Sequence, residues 1–233
     1  MQSIAALVAL VPRALLFDGD AYLEIKLWAR PARDGARLVL ALGAVLGIAG
    51  ALAGILGWAS APALADVRRV LTAELAALPL LQRLGPLAPR LAAALDWSPL
   101  WAAAAWVRPT PPLALMRLAL GPAALLMAWL SYGLTAHAVA RLLGGRARPG
   151  LTLGCLALAE GPRLLLILAP FPGLAWLGIW AWVLAARFQA LRAAHGLDGW
   201  HAFWAAVTPV LVGGALGIAA LGWSLAAALE GVP

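Results

Sequence analysis

Four stretches of this chain contain no Asp, Glu, Lys or Arg for 23 residues or more: residues 38–65, 118–140, 164–186 and 202–229. About 20 apolar residues cross the hydrocarbon of a bilayer as a helix. A soluble protein of 233 residues has no interior for four such helices. Charged residues make up 12% of the chain, against about 25% in soluble domains. The fold class that follows is all-α: a polytopic membrane protein.

The third stretch decides the topology. It runs between Arg163 and Arg187 and is broken by Pro170-Phe171-Pro172. Threaded as one helix, it gives four spans. Threaded as two, it gives a span at 151–169, a tight turn at 170–173 and a span at 174–194. Each proline would remove a helix hydrogen bond in hydrocarbon, and the residue before each resists the helix. The sequence therefore predicts five transmembrane helices, at about 38–59, 115–142, 151–169, 174–194 and 203–229. Charge agrees. With the N-terminus inside, the inner segments 1–37, 141–150 and 187–202 carry ten Lys and Arg, as the positive-inside rule asks. The expected location is a bacterial cytoplasmic (inner) membrane, with the C-terminus on the opposite side. The net charge of +7 is spent on this orientation and predicts no nucleic-acid partner.

Two parts follow. Residues 1–37 form an N-terminal interfacial and polar cytoplasmic segment. Its apolar start is interrupted by Pro12-Arg13, too short to span, and reads as an interfacial helix rather than a signal peptide. Residues 38–233 form the membrane domain, including the extramembrane connection 60–112. There Leu64, Val67, Leu71, Leu75 and Leu78 follow helical spacing, and 91–105 suggests a further short helix. Amphipathic helices on the membrane surface, or on another subunit, are expected here.

Few residues carry chemistry. Glu160 and Arg163 lie three apart, on one helix face, in apolar sequence where ionisable groups are expensive and mark a partner or a pathway. The expectation is an intramembrane ion pair, within the pair or from Glu160 to Arg187 on the next helix, with Gly161-Pro162 kinking the helix between. His137, in the second span, is expected to hydrogen-bond to a neighbouring helix; it is also a candidate haem or chlorophyll ligand, but a second histidine for a two-histidine site lies in none of the predicted spans. His195 and His201 flank residues 196–200 with too few further ligands for a metal. The lone Cys155 excludes an intrachain disulfide and cysteine-based metal sites. No resident cofactor is expected beyond bound lipids, and no metal. Gly43, Gly47, Gly50 and Gly54 on the first span, and Gly213, Gly214 and Gly217 on the last, are small-residue stripes suited to close helix packing. Twelve tryptophans outnumber what packing needs. Most fall near predicted interfaces, as an aromatic belt does. No nucleotide-binding loop or nucleophile–base set occurs, so the chain is not read as an enzyme.

Several segments resemble the Yip1 domain family in its bacterial form. Residues Leu16-Phe17-Asp18-Gly19-Asp20-Ala21-Tyr22-Leu23-Glu24-Ile25 resemble its pre-membrane segment. Tyr132-Gly133 and Leu142-Leu143-Gly144-Gly145 are similar to the end of its second span. Ala159-Glu160-Gly161-Pro162-Arg163-Leu164-Leu165 and the Pro170–Gly173 turn are the most specific part. Arg187, Gln189-Ala190-Leu191 and Gly199-Trp200-His201-Ala202 resemble the fourth span and the loop after it. The resemblance implies five spans and a cytoplasmic N-terminus. The Asp-Leu-Tyr-Gly-Pro type of motif carried by GTPase-binding eukaryotic relatives is absent, so no small GTPase partner is expected.

These features point to a non-catalytic scaffold or accessory subunit of a larger membrane complex, bioenergetic among the candidates, with the lipid bilayer and other integral membrane subunits as partners. Two alternatives stand beside it. One is a small transporter or channel-like protein using Glu160, Arg163 and His137. The other is a membrane-shaping protein acting through its amphipathic segments.

Overall fold

The computed structural model describes residues 4–78, 101, 102, 104, 105, 108, 110–168 and 174–230. The expected turn at 170–173 lies outside them, as does most of the helix expected at 91–105. Every regular element among the described residues is helical. In chain order these are α1 (Ile4–Leu15), α2 (Gly19–Glu24) with a 3-10 turn (Ile25–Leu27), α3 (Pro31–Ser60) and α4 (Leu64–Ala77). After them come α5 (Pro111–Leu142), α6 (Pro149–Leu158), a 3-10 segment (Gly161–Leu168), α7 (Leu174–His195) and α8 (Gly199–Glu230). Four helices are long and apolar enough to cross a membrane: Pro31–Ser60, Pro111–Leu142, Pro149–Leu168 and Gly199–Ser224. The chain is thus an all-helical membrane protein. The helix that would make a fifth crossing, α7, has 22 residues but does not stand among these four.

Proline and glycine set the boundaries. α3, α5 and α6 each begin on proline, whose missing N–H and fixed φ suit the first helical position. The first of these begins before the expected span and takes in Arg33, Asp34 and Arg37. α5 ends at Gly144, with φ +92°, where the Gly145 amide donates back to the Ala140 carbonyl at 2.8 Å. α7 ends at Gly196, with φ +67°, whose amide donates to the Arg192 carbonyl at 2.9 Å. Left-handed backbone of this kind favours glycine at helix C-termini. α1 ends the same way without one: Phe17 holds φ 58°, and the Asp18 amide donates to the Arg13 carbonyl at 3.0 Å.

The chain forms two compact units, Met1–Ala49 with Leu118–Pro233, and Gly50–Arg117. In the first, one end of the bundle gathers the start of α3, the loop 143–148, the start of α6 and the end of α7 around a single cavity. Successive helices therefore alternate in direction. α7 packs on α6, on the 3-10 segment and on α8. Contacts from Glu160 to Arg187 and from Arg163 to Trp180 sit nearly symmetrically about residues 170–173. These contacts lay α7 back beside the end of α6 and the 3-10 segment.

Close packing rests on small residues. A Cβ at Gly43 would come within 2.7 Å of the Pro122 backbone, and one at Gly35 within 3.0 Å of the Ala157 Cβ. Gly47 faces Gly121. Gly43 and Gly47 of the α3 stripe are therefore used within the chain, by α5, while Gly50 meets nothing within 4 Å. The core collects Leu38, Val39, Trp129, Leu156, Leu158 and Leu191 with many alanines. α1 lays Leu10, Val11 and Ala14 into it, and Val11 packs on Gly161. In the second unit Gly54 faces Ala114, and Arg108 Nη2 donates to the carbonyls of Ala61 and Pro62 at 3.2 and 2.7 Å.

Candidate functional site

α6 stops at Leu158 because Pro162, four residues on, lacks the N–H that would bond its carbonyl. The backbone turns through Ala159 and Glu160 and continues as a 3-10 segment. This break, expected as a kink, points the Glu160 side chain into the bundle, where it is 1% exposed.

There Glu160 meets two guanidinium groups. Arg187 donates from Nε and Nη2 to Oε1, at 3.0 and 2.6 Å. Arg163 donates from Nε to Oε2. The Arg163 side chain is 12% exposed and that of Arg187 is 7%. Both expected pairings form at once. Each arginine also lies over an aromatic ring, Arg187 over Tyr132 at 3.8 Å and Arg163 over Trp180 at 4.4 Å. One carboxylate against two guanidiniums leaves a net charge of +1, spread over π faces as cation–π contacts allow. Tyr132 is held in turn, its hydroxyl donating to the Ala206 carbonyl at 2.8 Å. This anchors α5 to α8 beside the ion pairs. Both carboxylate oxygens are engaged, Oε1 by two donors and Oε2 by one.

A second polar cluster lies two helical turns away along α7, about 12 Å at 1.5 Å per residue. The Thr152 hydroxyl sits 2.9 Å from His137 Nδ1 and 2.9 Å from His195 Nε2. The imidazole centroids are 5.3 Å apart. The hydroxyl also reaches the Arg148 carbonyl at 3.3 Å, and with one proton to give and two lone pairs it joins both rings to the start of α6. His195 Nδ1 is buried without a partner, in close quarters with Gly145, where a Cβ would come within 2.4 Å of it. His201, on the far side of residues 196–200, does not join the cluster: its Nδ1 and backbone amide engage Asp198. Those hydrogen bonds, the backbone one first, hold the Asp198 carboxyl below its ordinary value. Nδ1 of His137 is engaged, which leaves Nε2 as its one nitrogen for a haem or pigment. Among the described residues no three His, Cys, Asp or Glu side chains gather as a metal site would.

The structure thus joins Glu160, Arg163 and Arg187, and sets His137 apart from them. Sequence reasoning missed Thr152, Tyr132 and Trp129, whose Nε1 donates to the Leu153 carbonyl at 3.2 Å. Thr152 did carry a signal: it is the one hydroxyl between residues 149 and 168, and a polar group in a buried helix needs a partner.

At the N-terminal elbow, Arg13 donates to Asp18 at 2.8 Å and pairs with Glu24. The Asp18 side chain caps α2 by accepting from the Asp20 amide at 2.9 Å. The Arg13 hydrogen bond, with that of the Asp20 amide, holds the Asp18 carboxyl below its ordinary value. Phe17 stacks on Trp182 at 6.0 Å, and Trp182 Nε1 donates to the Leu15 carbonyl at 2.9 Å. This docks α1 on α7.

No protein-family model, curated protein or solved structure matches this chain.

Proposed function

We propose that this chain is a non-catalytic integral membrane scaffold or accessory subunit that docks other membrane subunits along the distal half of α8. It crosses the bilayer five times, with its N-terminus inside and α7 as the fourth crossing. The resemblance to the Yip1 domain family, which rests on residue patterns alone, agrees with that topology.

One observation carries the reading. From residue 210 to residue 224 every position of α8 is exposed, and a Cβ at Gly213, Gly214, Gly217 or Gly222 would meet nothing within 4 Å. Lipid covers apolar side chains well, but a glycine stripe is a groove that another helix fills better. On α3, Gly43, Gly47 and Gly54 lie against α5 of the same chain and Gly50 of that stripe is open, whereas all four of these α8 glycines are open. Transport through Glu160, Arg163 and His137 lacks equal support, since both carboxylate oxygens are engaged by arginines and the histidine belongs to a separate cluster.

The test is purification from the native membrane in mild detergent, followed by identification of what co-migrates. A stoichiometric complex is expected, and Gly213→Leu with Gly217→Leu should release the chain from it. A wild-type chain that migrates alone sinks the proposal.

A further inference from the structure

At the end of the bundle where α3 and α6 begin and α7 ends, a cavity of about 650 Å³ opens between the residue 26–31 linker and the 146–150 loop. Lys26, Arg146 and Arg148 line it, with Trp28 on one wall and Ala147, Gly150 and Ala194 at its base. No carboxylate lies among its described lining residues. The nearby acids are spent elsewhere: Glu24 on Arg13, Asp34 on Arg37. None of the three cations makes an ion pair among the described residues, and all three side chains are exposed. The neighbouring cavity, of about 450 Å³, shares Lys26 but sets Asp20 opposite Arg192, so only the first is cationic throughout. The first turn of α6 faces the same space, and no side chain caps it.

Three unpaired cations cost repulsion unless an anion joins them. At the end of membrane-crossing helices, the anion most concentrated nearby is the phosphate of a lipid headgroup, and basic pockets between such helices take multiply charged ones. Guanidinium groups suit phosphate oxygens, and a half-buried tryptophan suits the glycerol level of the interface. We propose that this cavity is a binding site for a phosphate-bearing anion, the headgroup of an acidic phospholipid seated between Lys26, Arg146 and Arg148. The site is independent of whether α8 docks a partner.

The test uses the full chain in phosphatidylcholine nanodiscs, titrated with diphosphatidylglycerol, phosphatidylglycerol or more phosphatidylcholine. Bound lipid is counted by native mass spectrometry, and a parallel arm titrates inorganic pyrophosphate by calorimetry. K26Q/R146Q/R148Q is expected to weaken acidic-lipid binding by on the order of a hundredfold, since each surface cation contributes roughly tenfold or somewhat less. The thermal midpoint in phosphatidylcholine should stay in place. The control R33Q/R141Q/R192Q, which removes equal charge outside the cavity, should retain most of the binding. R148Q alone, with R148K restoring it, serves as the second variant if the triple folds poorly. Variant-sensitive pyrophosphate binding without lipid preference would keep the site and make its ligand a soluble phosphate. Wild-type retention in the triple variant overturns the proposal, and so does an equal loss in the control.

Discussion

Replacing Glu160 by glutamine strands two guanidiniums at membrane depth with no carboxylate between them. Removing one partner of a buried ion pair costs about 3–5 kcal/mol, so Glu160→Gln should lower stability by that order in thermal unfolding in detergent. Arg163→Gln should cost less, because Arg187 still donates twice to Oε1; equal losses from the two variants would contradict the shared geometry. Thr152→Val keeps the side-chain shape but leaves two imidazole nitrogens unpaired, an expected loss of about 1–3 kcal/mol by the same measurement. The first cluster was legible in the sequence, since Glu160 and Arg163 are charges three apart in apolar surroundings and Arg187 is the next cation along. The second was not. His137, Thr152 and His195 stand 15 and 43 residues apart, and only the packing of α5, α6 and α7 brings them to one point.

Elements differ in how much room they leave one another. Gly43→Val pushes a side chain into the backbone at Pro122, and overpacking of this kind costs about 1–3 kcal/mol. Gly217→Val meets empty space, so its unfolding midpoint should match wild type once purified. If Gly43→Val proves as neutral as Gly217→Val, the close crossing of α3 and α5 is wrong. The α1–α2 elbow should respond to pH. Because Asp18 titrates below its ordinary 3.8 when folded, its clamp is fully present above that value and is lost as pH falls through the lower folded value. Proteolysis of the Arg13–Asp18 elbow should rise only in that acidic window, and Asp18→Asn should abolish the step. Helix positions were readable from charge-free length, though α3, α5 and α6 begin on prolines ahead of the expected spans. The 3-10 continuation of α6 was not, because hydropathy reports which residues are apolar and not how tightly they are wound. That winding matters for reach: ten α-helical residues cover about 15 Å and eight 3-10 residues about 16 Å, so a short segment suffices for a core of about 30 Å.

For the whole molecule, alternating helix direction makes a prediction about sides. With Cys155 buried, single cysteines at positions 146 and 201 should react with an impermeant thiol reagent from the same face of sealed vesicles. Labelling of 146 and 201 from opposite faces would remove α7 from the crossings. The two-to-one ratio of arginine to glutamate in the ion-pair cluster also bears on biogenesis. Glu160 and Arg163 emerge together and neutralise each other within one segment, so the first arm of the hairpin can enter the membrane with no net charge. Arg187 arrives 27 residues after Glu160 with no acidic residue in its own helix; an arginine at a helix centre costs the insertion machinery about 2.5–3.5 kcal/mol, and one set toward the helix end, as here, less. On the proposed five-crossing topology, the second arm depends on the first being in place to receive it: a nascent chain stripped of Glu160 should leave α7 stalled at the membrane edge, with α8 turned to the other side.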